Sequence, residues 1–359
     1  MCSMYIEVDC ERIRRNTEAT VNLCASHGIE VVGVTKACCG HPEVARAMLA
    51  GGASRLAESR LGNVRRLRDA GIDTEVMLLR LPSLSEVDEV VRLTQVSLNS
   101  QVETVRRLSQ AAVKQGLTHQ VILMLETGDR REGVMPERAL EVARAMAGLP
   151  NIELVGMGAN TTCIGGVLPT RKNTQLLVDV AEQIESDLGI HFKTISAGNS
   201  ASLALLLRNE MPARATQLRI GGAILIGEVD STGDWPVALP HQDAFTVRAE
   251  VIEIETKPSV PEGTVAPNAF GEIPQWPDLG LRRRAILALG RQDLQIESLV
   301  PLRAGITILG ASSDHLVLDV TEASPAVCLG EELAFRPLYG AVATGMASAV
   351  AKQIVKWRH

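Results

Sequence analysis

Between residues 30 and 226 the chain alternates short apolar runs with amphipathic stretches. The runs are VVGVTK (31–36), RLAES (55–59), VMLLRL (76–81), VSLNS (96–100), VILMLE (121–126), LVGMGAN (154–160), TISAGN (194–199) and QLRIGGAIL (217–225). Their hydrophobicity is continuous rather than alternating, which predicts strands buried on both faces, as in a parallel sheet covered by helices. Between them apolar residues recur at helical spacing. Val44, Ala47 and Met48 share a face of PEVARAMLAGG, with Gly51-Gly52 as the stop, and Val87, Val90 and Val91 share a face of SEVDEVVRLTQ. Ser83 or Ser85 caps the second helix, and Glu86 follows Ser83 at capping-box spacing. Eight such units in about 200 residues predict a (β/α)8 TIM-type barrel. The competing open sheet carries a glycine-rich fingerprint after its first strand, where this chain has VTKACCG.

After residue 240 the texture changes. AFTVRAEVIEIETKPS alternates as a half-solvated strand does, and RAILALGRQD, ITILGASSDHLVLDVTE and ELAFRPL continue in that style. Residues 257–277 hold five prolines (258, 261, 267, 274, 277) and read as a long ordered loop of the kind that usually serves function. The expected organisation is α/β: a barrel over residues 11–235, and a second, mainly β domain over 236–359 joined by the N-terminal strand within residues 1–10.

Apolar residues make up 46% of the 359 and charged residues 22%, the balance of a globular protein with a sizeable core. No apolar run reaches the ~18 residues of a membrane span, and MCSMYIEVDCERIRR places acids where a signal peptide is apolar. A formal net charge of -6 favours a small metabolite over nucleic acid or a membrane surface as partner. Seven cysteines (2, 10, 24, 38, 39, 163, 328), an odd number, read as reduced thiols in a cytoplasm. With no CxxC pair and scattered histidines, no metal is expected.

In a barrel the C-terminal strand ends form the active face. Here they carry Lys36, Glu58 with Ser59, Arg80, Asn99, Glu126, Asn160, Asn199 with Ser200, and Arg219. Lys36 ends an apolar strand with no acid within five residues on either side. Desolvation there disfavours its ammonium form and leaves an amine nucleophilic toward aldehydes. Gly198-Asn199-Ser200 and Arg219-Ile220-Gly221-Gly222 end the last two strands, where barrel enzymes often build phosphate sites from backbone N–H groups. A lysine after the first strand and a phosphate cradle after the last two point to a phosphorylated aldehyde cofactor.

These segments carry a resemblance. IEVDCERIRRN, GVTKACCG, LETGDRREG, AGNSAS, LRIGGAIL and ILGASSDHLVLDVT, in that order, resemble the alanine racemase-like pyridoxal 5'-phosphate (PLP) enzymes. LLRLPSLSEV, SLNSQVET, NTTCIGGVLPT, GRQD and GASSDH are similar to its ornithine racemase-like "predicted amino acid racemase" group. The likeness spans about residues 5–350 and implies the same barrel with a C-terminal β domain. By resemblance, Lys36 is the lysine that bonds the cofactor aldehyde, and Arg219 the arginine facing the pyridine nitrogen. Ser200, Gly221 and Gly222 match the phosphate contacts, with Asn199 in the same turn. Arg131 matches an arginine near the substrate carboxylate. A guanidinium keeps its proton, so the ring nitrogen stays unprotonated. The ring is then a poorer electron sink, favouring proton exchange over decarboxylation or transamination.

Two departures stand out. The family's catalytic tyrosine, supplied by the partner subunit, is replaced by Arg291 in LALGRQD, and Met124 stands where an often carbamylated lysine is found. The second proton carrier is therefore sought among His315, Asp314, Ser313, Cys163 and Asp293. His315 has the best intrinsic pKa for the task, and Cys163 suits it as a thiolate beside a positive charge. Asp314 and Arg291 are candidates for substrate contact. The resemblance implies a head-to-tail homodimer. The expected function is a PLP-dependent racemase of amino acids, with a dibasic substrate such as ornithine. The alternatives are a PLP-binding homeostasis protein without turnover, or an epimerase or decarboxylase on the same fold.

Overall fold

The computed structural model describes residues 3–229, 237–349 and 351–357; Cys2 and the expected domain boundary at 235/236 lie outside them. The chain divides into two compact units. One runs from Cys10 to Gln242, and the other combines the residues up to Asp9 with those from Asp243 onward.

Preceding the first unit is β1 (Met4–Asp9), which belongs to the second. Eight parallel strands then close into a barrel in chain order. They are β2 (Glu30–Val34), β3 (Arg55–Glu58), β4 (Val76–Leu78), β5 (Val96–Asn99), β6 (His119–Met124), β7 (Ile152–Gly158), β8 (Thr194–Ser196) and β9 (Gln217–Ile220). Each of the eight apolar runs supplies one strand, and β9 returns to pair with β2. Val32, Val34, Ala57, Met77, Val96, Leu98, Ile122, Met124 and Val155 form one cluster from the strands, joined by half-buried Leu79 and Leu81. Leu78, of the other parity on β4, packs instead with Leu61, Val90, Val91 and Leu108 of the surrounding helices. Both parities are buried, hence the unbroken hydrophobicity of the runs. Each fully buried side chain of this size stabilises the fold by about 1.5–3 kcal/mol.

The capping box expected at Ser83 does not form. Leu84–Glu86 make a short 3-10 turn before the helix Val87–Leu93, and the Ser83 side chain caps nothing. Glu86, its intended partner, turns to Arg80 instead, at 3.2 Å. A reciprocal cap appears at Thr170 and Asn173, opening the helix Arg171–Leu188.

The helix Cys10–Ala25 buries an unusual number of polar side chains, among them Asn16, Thr17 and Thr20. Both threonine hydroxyls donate to carbonyls one turn back. Asn16 uses its whole amide. Nδ2 donates to the Ile224 carbonyl at 3.0 Å and the His241 carbonyl at 2.7 Å, and Oδ1 accepts from the His241 N–H at 2.9 Å. One side chain thus ties the first helix to the segment that follows β9.

The short pair β10 (Glu228–Val229) and β11 (Val237–Ala238) ends the first unit. The second unit is built on β12 (Phe245–Pro258), β13 (Leu281–Leu287), β14 (Leu299–Pro301), β15 (Thr307–Ala311), β16 (Leu316–Asp319), β17 (Glu332–Pro337) and β18 (Lys352–Lys356). Strand order is β14-β17-β12-β13-β16-β15, with β1 antiparallel to β12 and parallel to β18. The proline-rich loop starts two residues later than expected, because Lys257 and Pro258 still pair with Arg282 and Leu281. Arg284 holds it down through the Ser259 carbonyl (2.7 Å) and the Trp276 ring (5.6 Å).

Replacing Asn16 with leucine leaves three buried backbone groups without their partner. A loss of about 3 kcal/mol is expected, read as a lower denaturant midpoint at unchanged slope. A midpoint within about 0.5 kcal/mol of the parent's contradicts this account of the anchor.

Candidate active site

The barrel's C-terminal rim begins with Lys36. After Val34 the chain leaves β2 and turns through the 3-10 segment Lys36–Cys38, and Cys39 adopts a left-handed φ of 52°. The Lys36 side chain keeps a solvent-exposed face, as a group that receives a ligand must, while the rim around it desolvates the ammonium. Burial is the main cause of its lowered pKa. The Arg131 cation lowers it further, Cys163 opposes, Arg219 adds to the fall, and Glu58 opposes.

Glu58 is fully buried, which pushes its carboxyl up; it accepts from the Thr35 hydroxyl at 3.1 Å and the Ser59 N–H at 2.6 Å.

Arg219 stands on β9 and is 5% exposed. Its hydrogen bonds go to three neutral oxygens: the Ala159 carbonyl at 2.7 Å, the Ser196 carbonyl at 3.2 Å and the Ser196 hydroxyl at 2.5 Å. Burial pulls its pKa down to about 10, so at neutral pH it remains a cation. A buried cation without a directly bonded carboxylate suits an electron-rich partner from a ligand.

Two loops flank Lys36. One follows β6 and carries Asp129, Arg131 and Glu132; the other follows β7 and carries Cys163. Arg131 is clasped by the Glu132 carboxylate, which raises its pKa, and its Nη1 donates to the Cys163 sulfur at 2.7 Å. Asp129, 2% exposed, joins the loops: Oδ1 accepts from the N–H groups of Cys163 (3.1 Å) and Val167 (3.3 Å). Arg130 and Thr162 hold left-handed φ values of 56° and 52°, strain of a kind that clusters at functional sites.

The glycine motifs lie where phosphate was expected. Asn199 fixes its turn by accepting from the Ala201 N–H (2.9 Å) and donating to the Thr161 carbonyl (2.7 Å). The Ser200 hydroxyl accepts from the Ala223 N–H at 3.1 Å, so the two motifs meet. A Cβ at Gly221 would stand 2.8 Å from the Val34 carbonyl oxygen, and Gly222 opens the short helix Gly222–Ile226. Only glycine lets the β9 exit pass this close to the strand that ends in Lys36. Cradle, amine and buried cation together match the functional groups of PLP.

Arg80, expected on the active face, is engaged with Glu86. The remaining candidates belong to the second unit. Asp314 and His315 sit on the turn between β15 and β16, where the Ser312 hydroxyl accepts from both their N–H groups. Arg291 and Gln292 donate backbone bonds to the Ser312 and Ser313 carbonyls, both at 3.0 Å, so GRQD and SSDH form one block. The Arg291 guanidinium makes a two-pronged pair with Glu272, bonds Glu297 at 3.1 Å and lies 4.5 Å from the Phe270 ring. Among the described residues no group of three His, Cys, Asp or Glu side chains is placed to hold a metal, and no helix is long and apolar enough to cross a membrane. Overlooked in the pattern were Glu30, Ser196 and Gln217, which lie beneath Arg219; polar residues two apart on an apolar strand, as Gln217 and Arg219 are, were the available signal.

An eight-stranded barrel with a lysine after its first strand, followed by a separate β unit, is an architecture that this chain shares with known pyridoxal-phosphate-family proteins of more than one activity, so the class comes from the sequence family. The family model for the alanine racemase N-terminal domain matches residues 8–228, and the chain belongs to that family. It is 36% identical over 344 residues to the ornithine racemase of Acetoanaerobium sticklandii, covering 96% of this chain and 97% of that one. It is 37% identical over 347 residues to the lysine racemase of Thermotoga maritima, covering 97% of each. Among solved structures, alanine racemase from Streptomyces lavendulae superposes with a TM-score of 0.74 at 17% identity, covering 100% of this chain and 98% of that one. D-Threonine aldolase from Filomicrobium marinum gives 0.75 at 19% identity, covering 95% and 88%. At those identities the likeness is one of fold. This chain is an amino acid racemase, an isomerase.

A lowered pKa means that Lys36 gives up its proton at lower pH and holds more neutral amine at any given pH. With 13C-dimethyl labels on the lysines of the cofactor-free protein, its resonance is expected to titrate below that of a dimethylated lysine in a short unstructured peptide. A midpoint level with the peptide's contradicts the desolvated site.

Proposed function

We propose that this enzyme interconverts the L and D forms of a dibasic amino acid of the ornithine and lysine class, using PLP, in the cytoplasm and as a head-to-tail homodimer. The observation that carries the reading is one barrel mouth holding a desolvated lysine, a buried arginine bonded to neutral oxygens and an Arg131–Cys163 pair. Near-full-length likeness to an ornithine racemase and a lysine racemase supports the substrate class. The free state of the described cysteines agrees with a reducing compartment.

When bound, PLP supplies an electron-withdrawing ring that acidifies the α-carbon of an amine joined to its aldehyde carbon. Lys36 Nζ would hold the cofactor aldehyde, and the same amine would take or return the α-proton on one face. Ser200, Gly221 and Gly222 would hold the phosphate, with Asn199 keeping their turn in place. Arg219, which keeps its own proton, would serve the ring nitrogen without giving it one, favouring proton exchange. Arg131 binds the substrate carboxylate and directs an N–H at the Cys163 sulfur. Cys163 Sγ gives and takes the proton on the second face. Asp129, one of whose carboxylate oxygens has no hydrogen-bond partner, adds negative charge for a distal ammonium.

The barrel serves as the PLP domain and the β unit as the part that completes a neighbouring subunit's site. Its block of Arg291, Asp314 and His315 is the contribution to that neighbour, with His315 as the proton carrier if Cys163 proves dispensable. Exposed Val265, Phe270 and Ile273 on the proline-rich loop support a subunit contact. Light scattering is expected to give twice the chain mass, and a monomer removes the dimer from the scheme.

The deciding measurement is α-proton exchange in deuterated water, with the PLP-loaded protein and single enantiomers of ornithine, lysine, arginine, alanine and serine. Ornithine and lysine are expected to exchange and to yield the opposite enantiomer. Bound PLP with no exchange in any of them leaves a carrier without turnover. Lys36→Ala is expected to abolish the visible absorbance of the bound cofactor. Cys163→Ala is expected to lower kcat by about 10²–10⁴-fold, and an unchanged kcat moves the second proton to His315.

A further inference from the structure

A line of polar side chains runs through the largely apolar barrel interior. Arg219 and Gln217 stand two apart on β9 and share a face. In the sheet register Gln217 lies opposite Glu30 of β2 on one side and Ser196 of β8 on the other. Four polar side chains from three adjacent strands therefore converge. The distances are those of a continuous chain: Arg219 Nη1 donates to Ser196 Oγ at 2.5 Å, Ser196 Oγ to Gln217 Oε1 at 2.9 Å, and Gln217 Nε2 to Glu30 Oε2 at 3.2 Å. Ser196 and Gln217 are 0% and 1% exposed, so no water replaces a lost link without entering the core.

We infer that Ser196, Gln217 and Glu30 are positioning residues for Arg219, forming a hydrogen-bond chain of one fixed direction from the barrel's N-terminal end to its mouth. The direction follows from the donor inventory. A guanidinium only donates and a carboxylate only accepts, so the serine and the glutamine between them must each pass one bond along. Turning the Gln217 amide over would break two bonds at once. The far end is anchored: Arg55 Nε donates to Glu30 Oε1 at 3.0 Å, and the Ser54 hydroxyl donates to the same oxygen. Burial alone raises the Glu30 carboxyl, but the Ser54 hydroxyl, the Arg55 cation and the Gln217 amide outweigh it and hold the acid below its ordinary range. Glu30 is thus an anion at neutral pH, and the polarised chain carries its influence to Arg219. The charged groups that face Arg219 from the mouth are Glu132, Arg131 and Lys36.

The chain decides where the guanidinium points. Nη1 is committed downward to Ser196 and Nη2 sideways to the Ala159 carbonyl, which fixes the plane that Arg219 offers to a ligand. That such a ligand is PLP rests on the function proposed above; the state of Arg219 in the empty protein does not.

The test therefore has two arms. In cofactor-free protein with 13C,15N-arginine, the Arg219 guanidinium is assigned by its loss in Arg219→Lys, and rotation about its Cζ–Nε bond is measured by NMR. Slow rotation is expected in the parent and in Ser196→Thr, which keeps the hydroxyl. Rotation roughly tenfold faster is expected in Ser196→Ala and Gln217→Leu. In the second arm these two variants are expected to bind PLP about tenfold more weakly. Unchanged rotation in Ser196→Ala overturns the chain, whatever the activity. If Gln217→Leu does not fold, Ser196→Ala decides alone, since it deletes a single hydroxyl. Faster rotation in a protein that binds no PLP supports the chain and refutes the proposed cofactor.

Discussion

A guanidinium enclosed by protein is the most expensive group in the barrel, and the arrangement around it follows from that cost. Removing an ion of this size from water carries an effective penalty of several kcal/mol even after relaxation, so the N–H groups facing protein need acceptors. Arg219 meets this with carbonyls from two strand ends, one hydroxyl, and a chain of polar side chains leading to Glu30. These links lie on β2, β8 and β9, while β4, β5 and β6 contribute Met77, Val96, Leu98, Ile122 and Met124 to the apolar core. The polar side of the barrel is also the side on which Lys36 emerges and the glycine turns meet. The buried cation, Lys36 and the glycine turns are therefore neighbours on one side of the barrel.

Opposite that fixed side, the mouth is shaped by strained loops. Arg130 and Thr162 adopt left-handed backbone conformations that cost of order 1–3 kcal/mol each and persist only where surroundings over-determine them. Asp129 is the over-determining group, because its carboxylate binds the Cys163 loop while its backbone belongs to the Arg131 loop. The Arg131–Cys163 contact is therefore the consequence of a buried acid two residues from Arg131. The wall behind Arg219 is fixed by buried hydrogen bonds, and the wall carrying Cys163 is strained and exposed.

Much of this was legible in the pattern of residues, and the failures have physical causes. The eight apolar runs correspond to the eight barrel strands because strands covered on both faces are built mainly of apolar residues. The strands β14 and β18 went unread because LVP and KQIVK stand outside any longer apolar or alternating run. Ser83 and Glu86 had capping-box spacing, but Arg80 offered Glu86 a charged partner and a 3-10 turn displaced the helix start. Asn16 looked like one more polar residue on an amphipathic helix, whereas its amide bonds residues more than 200 positions away.

What the sequence determined by itself was the class of fold and the family, since these depend on local periodicity and on motifs contiguous in the chain. Tertiary structure decided which distant side chains meet. That Cys163 lies against Arg131, that Asp129 clamps both loops, that Arg291 is taken up by Glu272 and Glu297, and that Glu30 reaches Arg219 through Gln217 and Ser196 depend on strand register and loop packing. A hydrogen bond needs placement to within a few tenths of an ångström between residues that barrel closure brings together from far apart. Periodicity along a chain specifies which face a side chain occupies. It says nothing of the partner opposite.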